Sequence, residues 1–220
     1  MKSLLNFVKF FFILVLILVL LFVIFYFSYI IPTTFRLPRN VKSVVFDNIT
    51  TINDAVSYLK KNGLEGWALV ETAQKIVAQK MKYSRRNGFD SPKKAFERGF
   101  GYCLTQTEAL KIILDDFKIN SRIVQCVRCK FGPMEIHEYK TESFISGHAW
   151  LRVTVDNETK DVAIGSPENI PGKIDFEILS EVTDYDGILK ILGHYSSILV
   201  NAYRDNQDLI RLRLEKSKNN

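Results

Sequence analysis

Arg98-Gly99-Phe100-Gly101-Tyr102-Cys103-Leu104-Thr105-Gln106-Thr107-Glu108-Ala109-Leu110 brackets a turn with two glycines and sets a cysteine directly ahead of an apolar helical pattern. Ala109, Leu110, Ile113, Leu114 and Phe117 recur at helical spacing, so one face packs inward. Cys103 therefore falls at a helix N-terminus, where unpaired backbone N–H groups and the positive end of the dipole favour a thiolate. Gly101 suits a sharp turn and a close backbone approach.

Working outward, Gly147-His148-Ala149-Trp150-Leu151-Arg152-Val153 alternates like a strand. Ala149, Leu151, Val153 and Val155 share one face, and His148 lies at the strand's start on the other. A cysteine opening a helix and a histidine on a strand are what thiol nucleophilic catalysis needs. The histidine takes the thiol proton, and the resulting ion pair is expected to hold the thiolate ready near neutral pH.

Gly101-Tyr102-Cys103, then Ile119-Asn120-Ser121-Arg122-Ile123-Val124, then Gly147-His148-Ala149-Trp150 occur in this order. Together they resemble the transglutaminase-like superfamily of papain-type cysteine enzymes over roughly residues 65–170. The resemblance implies an α+β domain, with helices packed on an antiparallel sheet. It also implies a catalytic set of Cys103, His148 and an Asp on the next strand, for which Asp161 is the candidate. Asp161-Val162-Ala163-Ile164-Gly165 is similar to the D-V-G-F-G segment of the related arylamine acetyltransferases. The register strains this assignment. A two-residue turn at Asp156-Asn157 puts Asp161 opposite Arg152, about 13 Å along the ladder from His148, and Gly165 opposite His148. A bulge or another turn length would change that. The family also uses a donor upstream of the cysteine for the oxyanion; Trp67, Gln74 and Tyr83 are all candidates.

Two main classes of function follow, besides a redox protein that would use Cys126 and Cys129 and that fails if they face opposite ways on a strand. One is a membrane-anchored cysteine enzyme that attacks an amide carbonyl, with water (peptidase or amidase) or an amine (acyl transferase) resolving the acyl-enzyme. The other is a non-catalytic binding or scaffold module that keeps the fold, since a cysteine in an apolar helix is often only a small core residue. The expected partner is a protein or peptide substrate. No cofactor and no metal are expected.

The N-terminus carries a separate signal. After a basic leader of residues 1–9, Phe10 to Ile31 runs 22 residues without a charge, long enough at 1.5 Å per residue to span about 33 Å. It ends in Tyr29-Ile30-Ile31-Pro32, a poor cleavage signal, so it reads as an uncleaved transmembrane anchor. Lys2 and Lys9 on one side nearly balance Arg36, Arg39 and Lys42 on the other. The short leader places the globular part on the extracytoplasmic side. Residues 32–50 read as a linker and 51–220 as one domain. Without the leader's two lysines the chain carries 28 basic and 24 acidic residues, net +4, and no basic block with interleaved aromatics suggests nucleic acid.

Within the domain, helices are expected over 51–61, 65–83, 103–117 and from 184 onward, and strands over 121–128, 148–155 and 162–165. Asp115-Asp116 oppose the dipole at their helix C-terminus, an unfavourable placement from sequence. Residues 131–146 read as a hairpin excursion. Cys126 and Cys129 fall on one strand, where residues three apart lie about 10 Å from each other on opposite faces, too far to bridge. Only His137 lies near enough to join them as a metal ligand.

Overall fold

The computed structural model describes residues 2–25, 48–84, 90–136, 139–165 and 169–218. The end of the expected anchor, most of the linker and His137 lie outside these residues. Helix α1 (Lys2–Phe25) contains a 20-residue apolar stretch, Asn6–Phe25, with none of it buried. It is long and apolar enough to cross a membrane.

The rest is α+β. Helices α2 (Ile52–Lys61), α3 (Gly66–Lys80), α4 (Pro92–Arg98) and α5 (Cys103–Asp116) pack on a curled antiparallel sheet. Between them, β1 (Lys82–Tyr83) pairs in parallel with β2 (Phe100–Gly101). The long strands β3 (Asn120–Phe131) and β6 (Phe144–Val155) form the sheet's centre. A small hairpin of β4 (Met134–Ile136) and β5 (Tyr139–Thr141) separates them. Strand β7 (Glu158–Val162) extends the β6 side, and β8 (Phe176–Ile178) and β9 (Val182–Asp184) both lie along β3. A long helix, α6 (Gly187–Lys218), closes the chain.

Local chemistry explains the boundaries. Thr51 and Asp54 form a reciprocal capping box at the start of α2. Ser91 caps α4, with Pro92 in its first turn, and Gly99 ends it at φ 81°. Expected helix 65–83 stops at Lys80, because the next residues leave to pair with β2. The acidic end of α5 also has an answer: Lys111 Nζ lies 2.7 Å from Asp115, and Lys60 Nζ of α2 lies 2.6 Å from Asp116. These pairs offset the dipole clash and tie α5 to α2.

The sheet separates two cores. Ala149, Leu151, Val153 and Val155 of β6 join the helices in the larger one. Val124, Cys126, Cys129, Phe131, Trp150, Ala163 and Phe176 form the smaller one. The third strand occupies 158–162 rather than the expected 162–165. Asp156 and Asn157 both take positive φ, 49° and 65°, so the β6–β7 hairpin closes with a two-residue turn of the primed kind. Val155 then faces Glu158, and Arg152 faces Asp161.

On α6, Ile198 is buried at 4% exposure, whereas Ile188, Ile191 and Leu192 are exposed. Among the described residues, the helix meets the domain at Gly193 and Ile198. A Cβ at Gly193 would fall 2.6 Å from the Tyr185 hydroxyl.

Because the turn sets the register, it can be tested alone. Asn157→Val, which puts a β-branched residue at positive φ, should cost about 1–2 kcal/mol in urea unfolding of the full-length chain in micelles. Asn157→Gly should match or exceed the parent.

Candidate active site

Cys103 is the first residue of α5, preceded by Tyr102, whose side chain makes no capping hydrogen bond. The approach is held firmly. Tyr102 is 1% exposed, Gln106 Nε2 donates to the Met81 carbonyl at 2.6 Å, and a Cβ at Gly101 would fall 2.5 Å from Met81 Cε. A side chain there would have to displace the Met81 methyl.

The first turn of α5 docks on an open strand edge. Strand β7 ends with Val162 opposite Leu151, so β6 has no strand on that side at Ala149. Thr107 Oγ1 donates to the Ala149 carbonyl at 3.1 Å, and the Ala149 N–H points to the Cys103 sulfur. The N–H groups of Leu104 and Cys103 point to it as well. These backbone N–H groups favour the charged sulfur, and His148 adjoins one of them in sequence. Cys103 and His148 line one cavity of about 330 Å³, together with Tyr83, Gln125 and Cys126; Ser196 and Asn201 of α6 form its opposite wall.

The His148 ring packs among Phe176, Phe131 and Trp150, at centroid distances of 4.6, 5.2 and 6.0 Å. Desolvation in this aromatic surround pulls its pKa down to about 4, against an upward pull from the Asp175 carboxylate. Burial pushes the Cys103 thiol up, and its three N–H donors offset only part of the rise. The expected ion pair is thus not the resting state. At neutral pH both groups are uncharged, because each would lose more solvation than its neighbours return.

The structure places Asp161 against Arg152. Its carboxylate takes two hydrogen bonds from Arg152, Nε at 2.9 Å and Nη2 at 3.3 Å, four residues along the strand from His148. The acid whose charge reaches His148 is Asp175, from the segment that follows β7. Its carboxylate covers Gly165, where an added Cβ would meet Asp175 Oδ2 at 3.3 Å and Oδ1 at 3.4 Å. Gly165 is the position that the β6–β7 register, continued, brings opposite His148. A glycine there leaves space for an acid supplied from elsewhere. Asn169, 4% exposed, holds that acid: its Nδ2 donates to Asp175 Oδ1 at 3.0 Å and to the Ala163 carbonyl at 3.3 Å.

Of the three upstream donors, Tyr83 lines the cavity. Gln74 Nε2 is spent on the Ala163 carbonyl at 2.7 Å, and the Trp67 ring lies under Lys160 Nζ at 4.4 Å. The α6 wall was not visible in the sequence. It is fixed by Tyr102 Oη at 2.8 Å from His194 Nδ1, Lys190 Nζ at 3.1 Å from Glu108, and Arg204 Nη1 donating to Ser146 Oγ at 3.0 Å.

The chain matches no protein-family model and no curated protein.

Asp175 and Asp161 can be told apart by titration. In NMR of the full-length chain, His148 should titrate near pH 4; Asp175→Asn should lower that midpoint, and Asp161→Asn should leave it in place. The unfolded chain takes up this proton near 6.5, so stability should fall as pH drops from 6.5 towards 4, by up to about 3 kcal/mol. His148→Phe should remove that part of the acid sensitivity.

Proposed function

We propose that this chain is a membrane-anchored cysteine enzyme of transglutaminase-like type that acts on an amide bond of a protein or peptide through a Cys103 acyl-enzyme. One observation carries the reading: Cys103, the first residue of α5, and His148 line the same cavity of about 330 Å³. The chain order of Gly-Tyr-Cys, the strand after the helix, and His-Ala-Trp supports the same family.

In this reading, sulfur attacks the carbonyl as His148 takes the thiol proton. The tetrahedral oxygen draws on the N–H of Cys103 at the start of α5. His148 then returns the proton to the leaving amine. Water, deprotonated by the same imidazole, releases the acyl group. Asp175, held by Asn169, acts on the ring through its charge and raises its basicity. The short basic leader puts the domain on the extracytoplasmic side of the membrane that α1 enters.

The resting protonation bears on the rate. With the thiol above its ordinary value of about 8.5 and the imidazole at about 4, moving the proton before attack costs upward of about 6 kcal/mol. The proton must therefore move as the C–S bond forms. That cost also favours a second reading, a binding module that retains the fold without turnover.

Acylation by p-nitrophenyl acetate separates the two. An enzyme should show a single acetyl adduct on Cys103 by mass spectrometry, formed about 100-fold or more slowly in His148→Ala, the low end of what a general base contributes. The rate should rise with pH through a midpoint above about 8.5. Equal acylation in both proteins would reject catalysis and leave the binding module.

A further inference from the structure

The register between β3 and β6 slips at one place. Cys126 faces His148 and Cys129 faces Ser146, which leaves Val127 and Arg128 opposite Gly147 alone. This is a β-bulge, and the extra residue reverses the alternation of side chains beyond it. On a straight strand Cys126 and Cys129 would face opposite sides, as the sequence suggested. The bulge instead turns both into the smaller core, at 1% and 0% exposure, and sends Val127 out to solvent at 69%. Both thiols lie in the same small core, beside Phe131, Trp150 and Phe176.

Their surroundings differ. The Ser180 hydroxyl lies 3.1 Å from Cys126 Sγ and already accepts the Arg128 N–H at 3.2 Å, so its proton is free to point at the sulfur. As a thiol, Cys126 donates to the Arg128 carbonyl at 3.1 Å. Cys126 also lines the cavity, whereas Cys129 has no surface. Burial raises the Cys126 thiol, but hydrogen bonding, the Ser180 hydroxyl foremost, outweighs it and holds it below the usual value. Burial, and then Cys126 itself, push Cys129 well up. One thiol is suited to attack and its neighbour to resolve.

We propose that Cys126 and Cys129 are a second thiol site, a dithiol built on the β3 bulge that reduces disulfides reaching it through the cavity. The Cys126 thiolate attacks one sulfur of an incoming disulfide, forming a mixed disulfide and expelling one thiolate. Cys129 passes its proton to that thiolate and attacks Cys126 Sγ. A Cys126–Cys129 bond forms, and the second thiolate leaves and takes a proton from solvent. Two protein thiols are oxidised, and one disulfide becomes two thiols. The bond closes a loop of only four residues, so it restricts the unfolded chain little and a thiol can reverse it.

The site does not depend on the reading of Cys103, and its test keeps them separate. The full-length chain in micelles is incubated with oxidised glutathione, quenched in acid, blocked and cut with trypsin. Cleavage after Arg122, Arg128 and Lys130 yields peptides 123–128 and 129–130, which stay joined only through a Cys126–Cys129 bond. The joined pair should be the main disulfide product, in Cys103→Ser as well as in the parent, and should vanish on adding dithiothreitol. Cys129→Ser should accumulate the glutathione adduct on Cys126, at least tenfold over any adduct on Cys129 in Cys126→Ser. A Cys103–Cys126 bond as the main product, or no joined pair from the native parent, would overturn the proposal. The parent measurement needs no variant, so a misfolded mutant cannot mask the result.

Discussion

The structure depends on how the first turn of α5 satisfies the open edge of β6. A strand that outruns its neighbour exposes backbone groups, and buried ones must find partners. At Ala149 the carbonyl takes the Thr107 hydroxyl, and the N–H turns to the Cys103 sulfur. Thr107 and Cys103 are one helical turn apart, so a single helix end serves both groups. The helix thereby ties the larger core to the sheet, and its N-terminus opens beside His148. Tyr102, Gln106 and Gly101 hold it in that position from behind, against Met81.

Around this junction, solvation outweighs charge. His148 has three aromatic neighbours within 6.0 Å and one carboxylate acting on it. Asp175 is exposed, so water screens its pull on the ring, while the aromatic rings take away hydration that nothing replaces. Cys103 follows the same rule, and three N–H donors do not fully offset burial. The site is therefore a neutral, water-poor pair beneath a helical wall. Any charge that develops there must arise during a reaction step or be supplied by a bound molecule.

Small departures from regular strand geometry have large consequences here. One extra residue on β3 moves Cys129 from one side of the sheet to the other and places Phe131 against His148. One glycine at 165 clears the space that the Asp175 carboxylate enters. The ends of strands and the bulge thus set the chemistry, and the long paired runs between them supply the frame.

Much of this was legible in the chain. Apolar spacing marked α5 and placed Cys103 at its start, alternation marked β6 and the side of His148, and Asp156-Asn157 implied the two-residue turn that sets Arg152 against Asp161. The length and apolarity of the first helix were equally plain. These are local properties, because periodicity, capping and turn chemistry act over a few residues. What the tertiary structure alone decided are the meetings of distant segments: Asp175 bringing its charge to bear on His148, α6 closing the cavity, and the bulge that turns Cys126 and Cys129 into one core. The pKa directions belong there too, since desolvation depends on which side chains converge from β3, β6 and β8, and no spacing along the chain records that convergence.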